Sequence, residues 1–136
     1  MNVYVACSSR EIPRARAVMA TLVAAGHVNV HDWTPHVERA IANGTAEHML
    51  DDGFALMCAK VDLDGVDRAD ALVFLAPTDA AKGAWVELGY AIGRGFRRIV
   101  VAHDEVEKRN QSIFTRVKSW RCADDEIVET LARLAQ

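Results

Sequence analysis

The sequence contains no long apolar run and no large excess of one charge. Of its 136 residues 51% are hydrophobic, yet no apolar stretch approaches the roughly 20 residues that a membrane-spanning helix needs. The formal net charge is -3 and the two signs are interspersed, which argues against a nucleic-acid surface. We therefore expect one compact domain over residues 1–136 that binds a small ligand, and neither a membrane nor a nucleic-acid polymer.

Cysteine is also scarce. Cys7, Cys58 and Cys122 share no paired spacing and are odd in number, so we expect neither a zinc site nor a disulfide framework. The first residues form a strand-like stretch and lack a charged and then apolar leader. These features together predict a protein of the reducing cytoplasm.

Short apolar runs rich in valine alternate with stretches of helical periodicity, which predicts a parallel sheet built from strand-helix units. Between Thr34 and Asn43 the pattern is undecided and ends in an Asn43-Gly44 turn, and a short acidic helix or turn is expected before the third strand. The predicted strands are Val3 to Ala6, His27 to His31, Ala71 to Leu75, RRIVVAH and VKSWRC. The predicted helices run from Ile12 to a stop at Gly26, from Thr45 to Ala59, over KGAWVELGYAIGRG, and onward from a cap at Asp124 or Asp125.

Five strands joined by helices predict a flavodoxin-like (Rossmann-like) α/β fold, a doubly wound five-stranded parallel sheet in a three-layer sandwich. The first strand should be central. In such sheets ligands bind beyond the carboxyl ends of the strands where the winding reverses, here between the first and third strands. The loops from Cys7 to Glu11 and from Pro77 to Trp85 are therefore the candidate binding loops.

The first loop has no glycine to bend it, but it offers the Ser8 and Ser9 hydroxyls, N–H groups at a helix start and the Arg10 guanidinium. These groups match a phosphate or a carboxylate. Alternatively, Ser8 or Ser9 caps the helix and Arg10 lies in solvent. A thiolate nucleophile at Cys7 is disfavoured, because three residues are too few to wrap a phosphate between Cys7 and Arg10, so Cys7 is interpreted as a small packed residue.

The second loop leads to Glu87, which we place in the first turn of a helix, between Trp85 and Leu88. There the helix dipole alone would favour a carboxylate. The apolar surroundings instead suggest a reacting carboxylate. Asp62 or Asp64 could converge on the same cleft, and two carboxylates can divide the nucleophile and acid roles, as in glycoside hydrolysis.

Three segments resemble the nucleoside 2-deoxyribosyltransferase-like enzymes, most closely their branch of nucleoside 5'-monophosphate N-glycosidases. VYVACSSR is similar to that branch's strand and phosphate loop, DLDGVDRADALVFLAP to its D-L-x-x-hydrophobic-x-x-A-D stretch, and KGAWVELGYAIGRG to its G-x-x-x-E-L-G-x-A helix. The resemblance implies three catalytic residues: Glu87 attacks the anomeric carbon, Asp62 assists the leaving base and Tyr4 lies near the sugar. It also implies a homodimer, and no metal or cofactor is needed.

The substrate implied by the resemblance is a nucleoside 5'-monophosphate. The predicted binding residues are Cys7, Ser8, Ser9, Arg10, Trp33 and Gly83. Trp33 has two interpretations, a core residue or a stacking wall for the base, and His31 and Asp32 could line the same opening. The loop departs from the relatives at Cys7, where they have glycine, and at Ala80 to Lys82, which we expect to approach the neighbouring subunit.

Other functions stay open. A nucleoside 2-deoxyribosyltransferase would exchange bases on a bare 5'-hydroxyl, whereas Arg10 favours a phosphate and hence the hydrolase. The Trp85 to Glu87 spacing is also found in NAD glycohydrolases of the TIR-like kind. A non-catalytic nucleotide-sensing domain of the same fold would bind a mononucleotide without releasing base.

Overall fold

The computed structural model describes residues 1–44, 51–103, 113–116 and 119–136, and it contains one five-stranded parallel sheet. The strand order is β2-β1-β3-β4-β5, so the winding reverses between β1 and β3, as predicted. This confirms the flavodoxin-like α/β sheet. The strands are β1 (Asn2–Ala6), β2 (Val28–Asn29), β3 (Ala71–Leu75), β4 (Ile99–Ala102) and β5 (Trp120–Cys122).

Within the described residues, five helices cover the sheet: α1 (Ile12–Ala24), α2 (Thr34–Ala42), α3 (Asp52–Asp67), α4 (Lys82–Gly93) and α5 (Ile127–Leu134). Right-handed crossovers place α1 on one face and α2, α3 and α4 on the other, and α5, which follows the last strand, packs beside α1. In agreement, Arg14 of α1 pairs with Asp124 just before α5, and α3 contacts α4. None of the helices within the described residues is both long enough and apolar enough to cross a membrane.

The core lies between the sheet and these two helical layers. Every residue of β3 and β4 is buried, as expected for strands that helices cover on both faces. From α1, Ala15, Met19 and Leu22 pack against this core, and the helix stops before Gly26, whose φ of +83° is a backbone conformation that favours glycine. The predicted stop at Gly26 is confirmed.

Strand β2 is shorter than the predicted His27 to His31. The N–H groups of Val28 and Val30 donate to the Met1 and Val3 carbonyls, and a longer strand would next use the Val5 carbonyl. That carbonyl instead accepts the indole N–H of Trp33 at 2.9 Å. The chain therefore leaves the sheet after Val30, and the undecided stretch from residue 34 onward forms α2.

Helix α3 is longer than predicted. It continues to Asp67, because buried Gly65 and Val66 extend the face that packs on the sheet beyond the predicted end at Ala59. The acidic stretch before β3 is therefore helical, one of the two predicted alternatives, but it continues α3, and the predicted helix end at Ala59 is wrong. The predicted start at Thr45 lies outside the described residues, and Asp51 caps α3 by accepting the N–H of Phe54 at 3.1 Å.

The start of α5 also differs from the prediction. Residues Asp124–Glu126 form a 3-10 turn, and Glu126 accepts the N–H of Ala123 at 2.9 Å. Neither Asp124 nor Asp125 caps the helix. The Asp124 carboxylate instead accepts two hydrogen bonds from the Arg14 guanidinium, at 2.8 and 2.9 Å, and so joins α5 to α1.

Candidate active site

A buried hydrogen bond joins β1 to α4 at the predicted switch point. The Tyr4 hydroxyl donates to Glu87 Oε1 at 2.6 Å, and both side chains are buried. Tyr4 alternates along β1 with Val3 and Val5, so its ring points to the face that α3 and α4 cover. The fold thus brings Tyr4 and Glu87, two of the three predicted catalytic residues, into direct contact.

Glu87 lies deeper in its helix than predicted. Helix α4 begins at Lys82 and carries no acidic residue in its first turn, so Glu87 is in the second turn. The helix dipole acts mainly within the first turn and therefore does not explain a carboxylate here. Glu87 is only 8% exposed and lies among buried Ala84, Leu88 and Ala91, a costly place for a carboxylate without a role or a partner.

The phenol of Tyr4 is held in its protonated form. Burial raises its pKa far above the usual range, and the negative charges of Glu87 and Asp62 raise it further. A protonated phenol can donate a hydrogen bond but cannot act as a base at neutral pH. Tyr4 is therefore a permanent donor to Glu87, and it orients the carboxylate through Oε1.

The third predicted catalytic residue, Asp62, reaches the same place from α3. His31 Nε2 lies 3.0 Å from Asp62 Oδ1, and the His31 ring stacks on Tyr4 with centroids 6.3 Å apart. Asp64, the other candidate carboxylate, is exposed. We call Tyr4, His31, Asp62 and Glu87 the reaction cluster.

Gly65 permits the close packing of this cluster. A Cβ atom at position 65 would lie 2.8 Å from the Tyr4 ring and 2.9 Å from the Cβ of His31. Such contacts are shorter than normal van der Waals separations, so only glycine lets α3 approach the two rings. The backbone of α3 thereby places Asp62 against His31.

The predicted phosphate loop lies after β1, and there the structure adds a carboxylate. Ser8 is buried; its hydroxyl accepts the N–H of Arg10 at 3.2 Å and donates to Asp79 Oδ2 at 3.0 Å. The Arg10 guanidinium, 84% exposed, lies 3.5 Å from the same Asp79 oxygen. Helix α1 has Glu11 at its N-cap position without a side-chain hydrogen bond, so the interpretation of Ser8 or Ser9 as its cap is wrong.

Asp79 is the residue that sequence reasoning missed. Its second oxygen accepts the N–H of Ala81 at 3.0 Å, and Ala81 adopts a left-handed backbone with φ 36°. The available signal was its place, a carboxylate two residues after Pro77 in a candidate binding loop. We call Ser8, Ser9, Arg10, Asp79 and Ala81 the anion loop.

The other predicted binding residues differ in accessibility. Burial raises the pKa of the Cys7 thiol to about 12, with a further contribution from the Glu11 charge, so Cys7 is a packed thiol and not a thiolate. Trp33 is buried with its indole bound to Val5, which is the core interpretation. Gly83 is exposed, and a Cβ there would meet nothing within 4 Å.

The chain matches no model of a known protein family, and no curated protein matches it significantly. The resemblance of its three segments to nucleoside 2-deoxyribosyltransferase-like enzymes therefore stays a prediction.

Within the described residues, no three His, Cys, Asp or Glu side chains are grouped so that they could hold a metal ion. The chemistry available to the site is that of a buried carboxylate, a phenol donor and a carboxyl-histidine pair beside an anion loop.

Proposed function

We propose that the protein hydrolyses the N-glycosidic bond of a nucleoside 5'-monophosphate and releases free base and sugar 5-phosphate. The observation that carries the proposal is the buried 2.6 Å hydrogen bond from Tyr4 to Glu87, beside Asp62 at the switch point of the sheet. A carboxylate oriented by a permanent donor suits nucleophilic attack on the anomeric carbon. A second carboxyl group suits protonation of the leaving base.

In the first half of the proposed reaction, the second oxygen of Glu87, Oε2, bonds to C1' as the bond from C1' to the base nitrogen breaks. The electron pair of that bond stays on the base, which takes up a proton from Asp62. Tyr4 donates to the other Glu87 oxygen throughout and so keeps the carboxylate in position. The product of this half is a glycosyl ester on Glu87.

In the second half, water attacks C1' from the side that the base has left, and Glu87 departs as a carboxylate. The water gives one proton to Asp62, which restores the acid for the next cycle. Two displacements at C1' retain the configuration of the sugar. No redox partner or further reactant enters this sequence.

The anion loop supplies the binding site for the 5'-phosphate in this proposal. Ser8, Ser9 and the Arg10 guanidinium lie where β1 ends, and the exposed Arg10 has room to turn toward a ligand. Asp79 now accepts from Ser8 and pairs with Arg10, so a phosphate has to take its place. Substrate binding therefore replaces the Asp79 carboxylate by the 5'-phosphate as the anion that Ser8 and Arg10 contact.

The proposal is tested by incubation of the protein with ribo- and deoxyribonucleoside 5'-monophosphates, with and without a second free base, followed by mass spectrometry. Free base and sugar 5-phosphate are expected. A 2'-fluoro substrate, which slows breakdown of the ester, should leave a sugar-phosphate adduct on the Glu87 peptide. Absence of base release from every monophosphate, or an adduct on Asp62, would overturn the proposal.

Asp79 favours a second candidate, a nucleoside 2-deoxyribosyltransferase acting on a bare 5'-hydroxyl. A hydroxyl can donate to the Asp79 carboxylate, whereas a phosphate is repelled by it. Asp79→Asn separates the two. If the hydrolase proposal holds, the variant should use monophosphates better, because the competing charge is gone; if the transferase holds, it should use nucleosides less well and show base exchange.

We also propose a homodimer, in which Ala80 to Lys82 approach the partner's site. Large apolar side chains are exposed on α3 and α4, at Leu56, Met57 and Val86, on the layer that carries the reaction cluster. Burial of such side chains between two copies would be favourable. Sedimentation at micromolar concentration should show a dimer, and a fully active monomer would contradict this assignment.

A further inference from the structure

His31 is the member of the reaction cluster to which the proposed function gives no role. It follows β2 where the chain leaves the sheet, and it contacts both Tyr4 and Asp62. We propose that His31 is a positioning residue: its Nε2–H donates to Asp62 Oδ1 and holds the Asp62 carboxyl for proton transfer to the leaving base. This inference rests on the proposed function and deepens it.

The contact between His31 and Asp62 is partly shielded from water. The side chains are 11% and 27% exposed, and the two atoms are 3.0 Å apart. A hydrogen bond to the Asp62 carboxyl group in such surroundings is stronger than one on an open surface, because solvent competes less. Asp62 is thereby restricted to one orientation, although it lies on a helix turn that would otherwise allow several rotamers.

His31 itself is held by neighbours on three elements, β1, α2 and α3. Its ring lies at 20° to the Tyr4 ring, and the His36 ring lies at 6.0 Å on another side. Because Gly65 has no side chain, the His31 Cβ lies closer to the α3 backbone than any other residue at position 65 would permit. The imidazole therefore cannot turn away from Asp62 without disturbing packing that the backbone of α3 defines.

The chemical consequence concerns the two oxygens of Asp62. Oδ1 is paired with His31, and no hydrogen bond to Oδ2 is found within the described residues. Oδ2 is thus the oxygen that holds the proton and gives it to the base nitrogen as the glycosidic bond breaks. Water returns one proton to Oδ2 in the second half of the reaction, so His31 ends each cycle unchanged.

A change of leaving group tests this role. A natural base needs a proton to depart, whereas p-nitrophenolate departs without one. His31→Ala should lower kcat about 100-fold on the natural monophosphate and change KM little, within the usual range for loss of acid assistance. In the first turnover on p-nitrophenyl ribose 5-phosphate, before water attack needs Asp62 as a base, the same variant should release p-nitrophenol within about threefold of the wild-type rate, and Asp62→Asn should show the same contrast.

Two further variants exclude a merely structural effect. In His31→Gln, the amide N–H can still donate to Asp62. On the natural substrate, kcat of this variant should therefore be at least tenfold higher than kcat of His31→Ala. His27→Gln changes a histidine at the amino end of β2, whereas the reaction cluster lies at the carboxyl ends of the strands, and this variant should behave as wild type.

Equal losses on both substrates in His31→Ala, or no recovery in His31→Gln, would overturn the role of His31 while base release by the wild type upholds the hydrolase. A wild-type protein that releases neither base nor p-nitrophenol would overturn both.

Discussion

The reaction cluster and the anion loop lie at the same edge of the sheet but are held in different ways. In the cluster, Tyr4 and Glu87 are buried and 2.6 Å apart, and Gly65 allows contacts closer than any side chain would. In the anion loop, Arg10 is 84% exposed and its ion pair with Asp79 measures 3.5 Å. Packing fixes the first region, whereas hydrogen bonds to Ser8 and Asp79 and one exposed ion pair hold the second.

Because the two regions are held differently, we expect the reaction cluster to control the rate of the chemical step and the anion loop to control the choice of substrate. Buried groups that are fixed by packing cannot reorganise for different ligands, so changes in the cluster should alter the chemical step. An exposed ion pair contributes little to stability and exchanges partners easily. Changes in the anion loop should therefore alter which substrate is used, and leave the fold and the chemistry of a suitable substrate intact.

The largest expected effect is that of Glu87→Gln. The amide keeps the size of the side chain and can still accept from Tyr4, but it lacks the anionic oxygen that forms the ester. We expect turnover to fall about 10⁴-fold or more while substrate binding survives. Steady-state kinetics and equilibrium binding of a monophosphate measure the two quantities.

Glu129→Gln is the matched control. Glu129 is an exposed glutamate in the first turn of α5, the position in which the helix dipole does favour a negative charge. Its loss should cost less than about 1 kcal/mol of unfolding free energy and leave turnover unchanged. A fully active Glu87→Gln protein would remove the distinction between the two regions.

Arg10→Ala should have the next largest effect, and only on one class of substrate. A charge-assisted hydrogen bond to phosphate contributes about 1.5 to 3 kcal/mol, so kcat/KM for a monophosphate should fall roughly 10- to 150-fold. Use of the matching nucleoside should hardly change. Arg97→Ala, another exposed arginine, provides the control; equal losses on phosphate and nucleoside would assign Arg10 to the sugar or to the fold.

Gly65→Ala should damage the cluster through packing alone. The added methyl group would lie 2.8 Å from the Tyr4 ring and 2.9 Å from the His31 Cβ, and Tyr4 is fully buried. We expect a loss of about 1 to 3 kcal/mol in unfolding free energy, measured by urea denaturation. Gly93→Ala, in α4, adds the same group where nothing lies within 4 Å and should be neutral or stabilising.

These two regions also differ in how far the sequence predicts them. The alternation of apolar runs and helical periods is local, so it predicts the order of elements and places Tyr4, Ser8 and Arg10 on or after β1. Glu87 follows in the same way, since the helix after β3 must start at the switch point. Its depth in the second turn was not predictable, because the start of α4 depends on the unusual backbone at Ala81.

Contacts between distant parts of the chain account for the rest. The pairing of His31 with Asp62 joins residues 31 positions apart, and that of Ser8 with Asp79 joins residues 71 positions apart. The length of β2 depends on a side chain, Trp33, that takes the Val5 carbonyl from the strand. Such competition is decided by tertiary structure, and no local pattern contains it.

The smallest expected effect concerns the backbone of the anion loop. Ala81 has φ 36° and ψ 49°, a left-handed conformation that costs a residue with a Cβ atom about 1 to 2 kcal/mol. Glycine adopts this conformation without that cost but loses more entropy on folding, so Ala81→Gly should raise the unfolding free energy by about 1 kcal/mol or less. Ala80→Gly, at an exposed neighbour without positive φ, lacks the gain and should be neutral or destabilising.

In Ala81→Gly the backbone N–H of position 81 still reaches Asp79, so substrate preference should not change. Urea denaturation of both variants and kcat/KM for the monophosphate provide the comparison. A destabilised Ala81→Gly protein, or one with altered substrate preference, would mean that the left-handed turn is held by the alanine side chain and that packing extends into the anion loop.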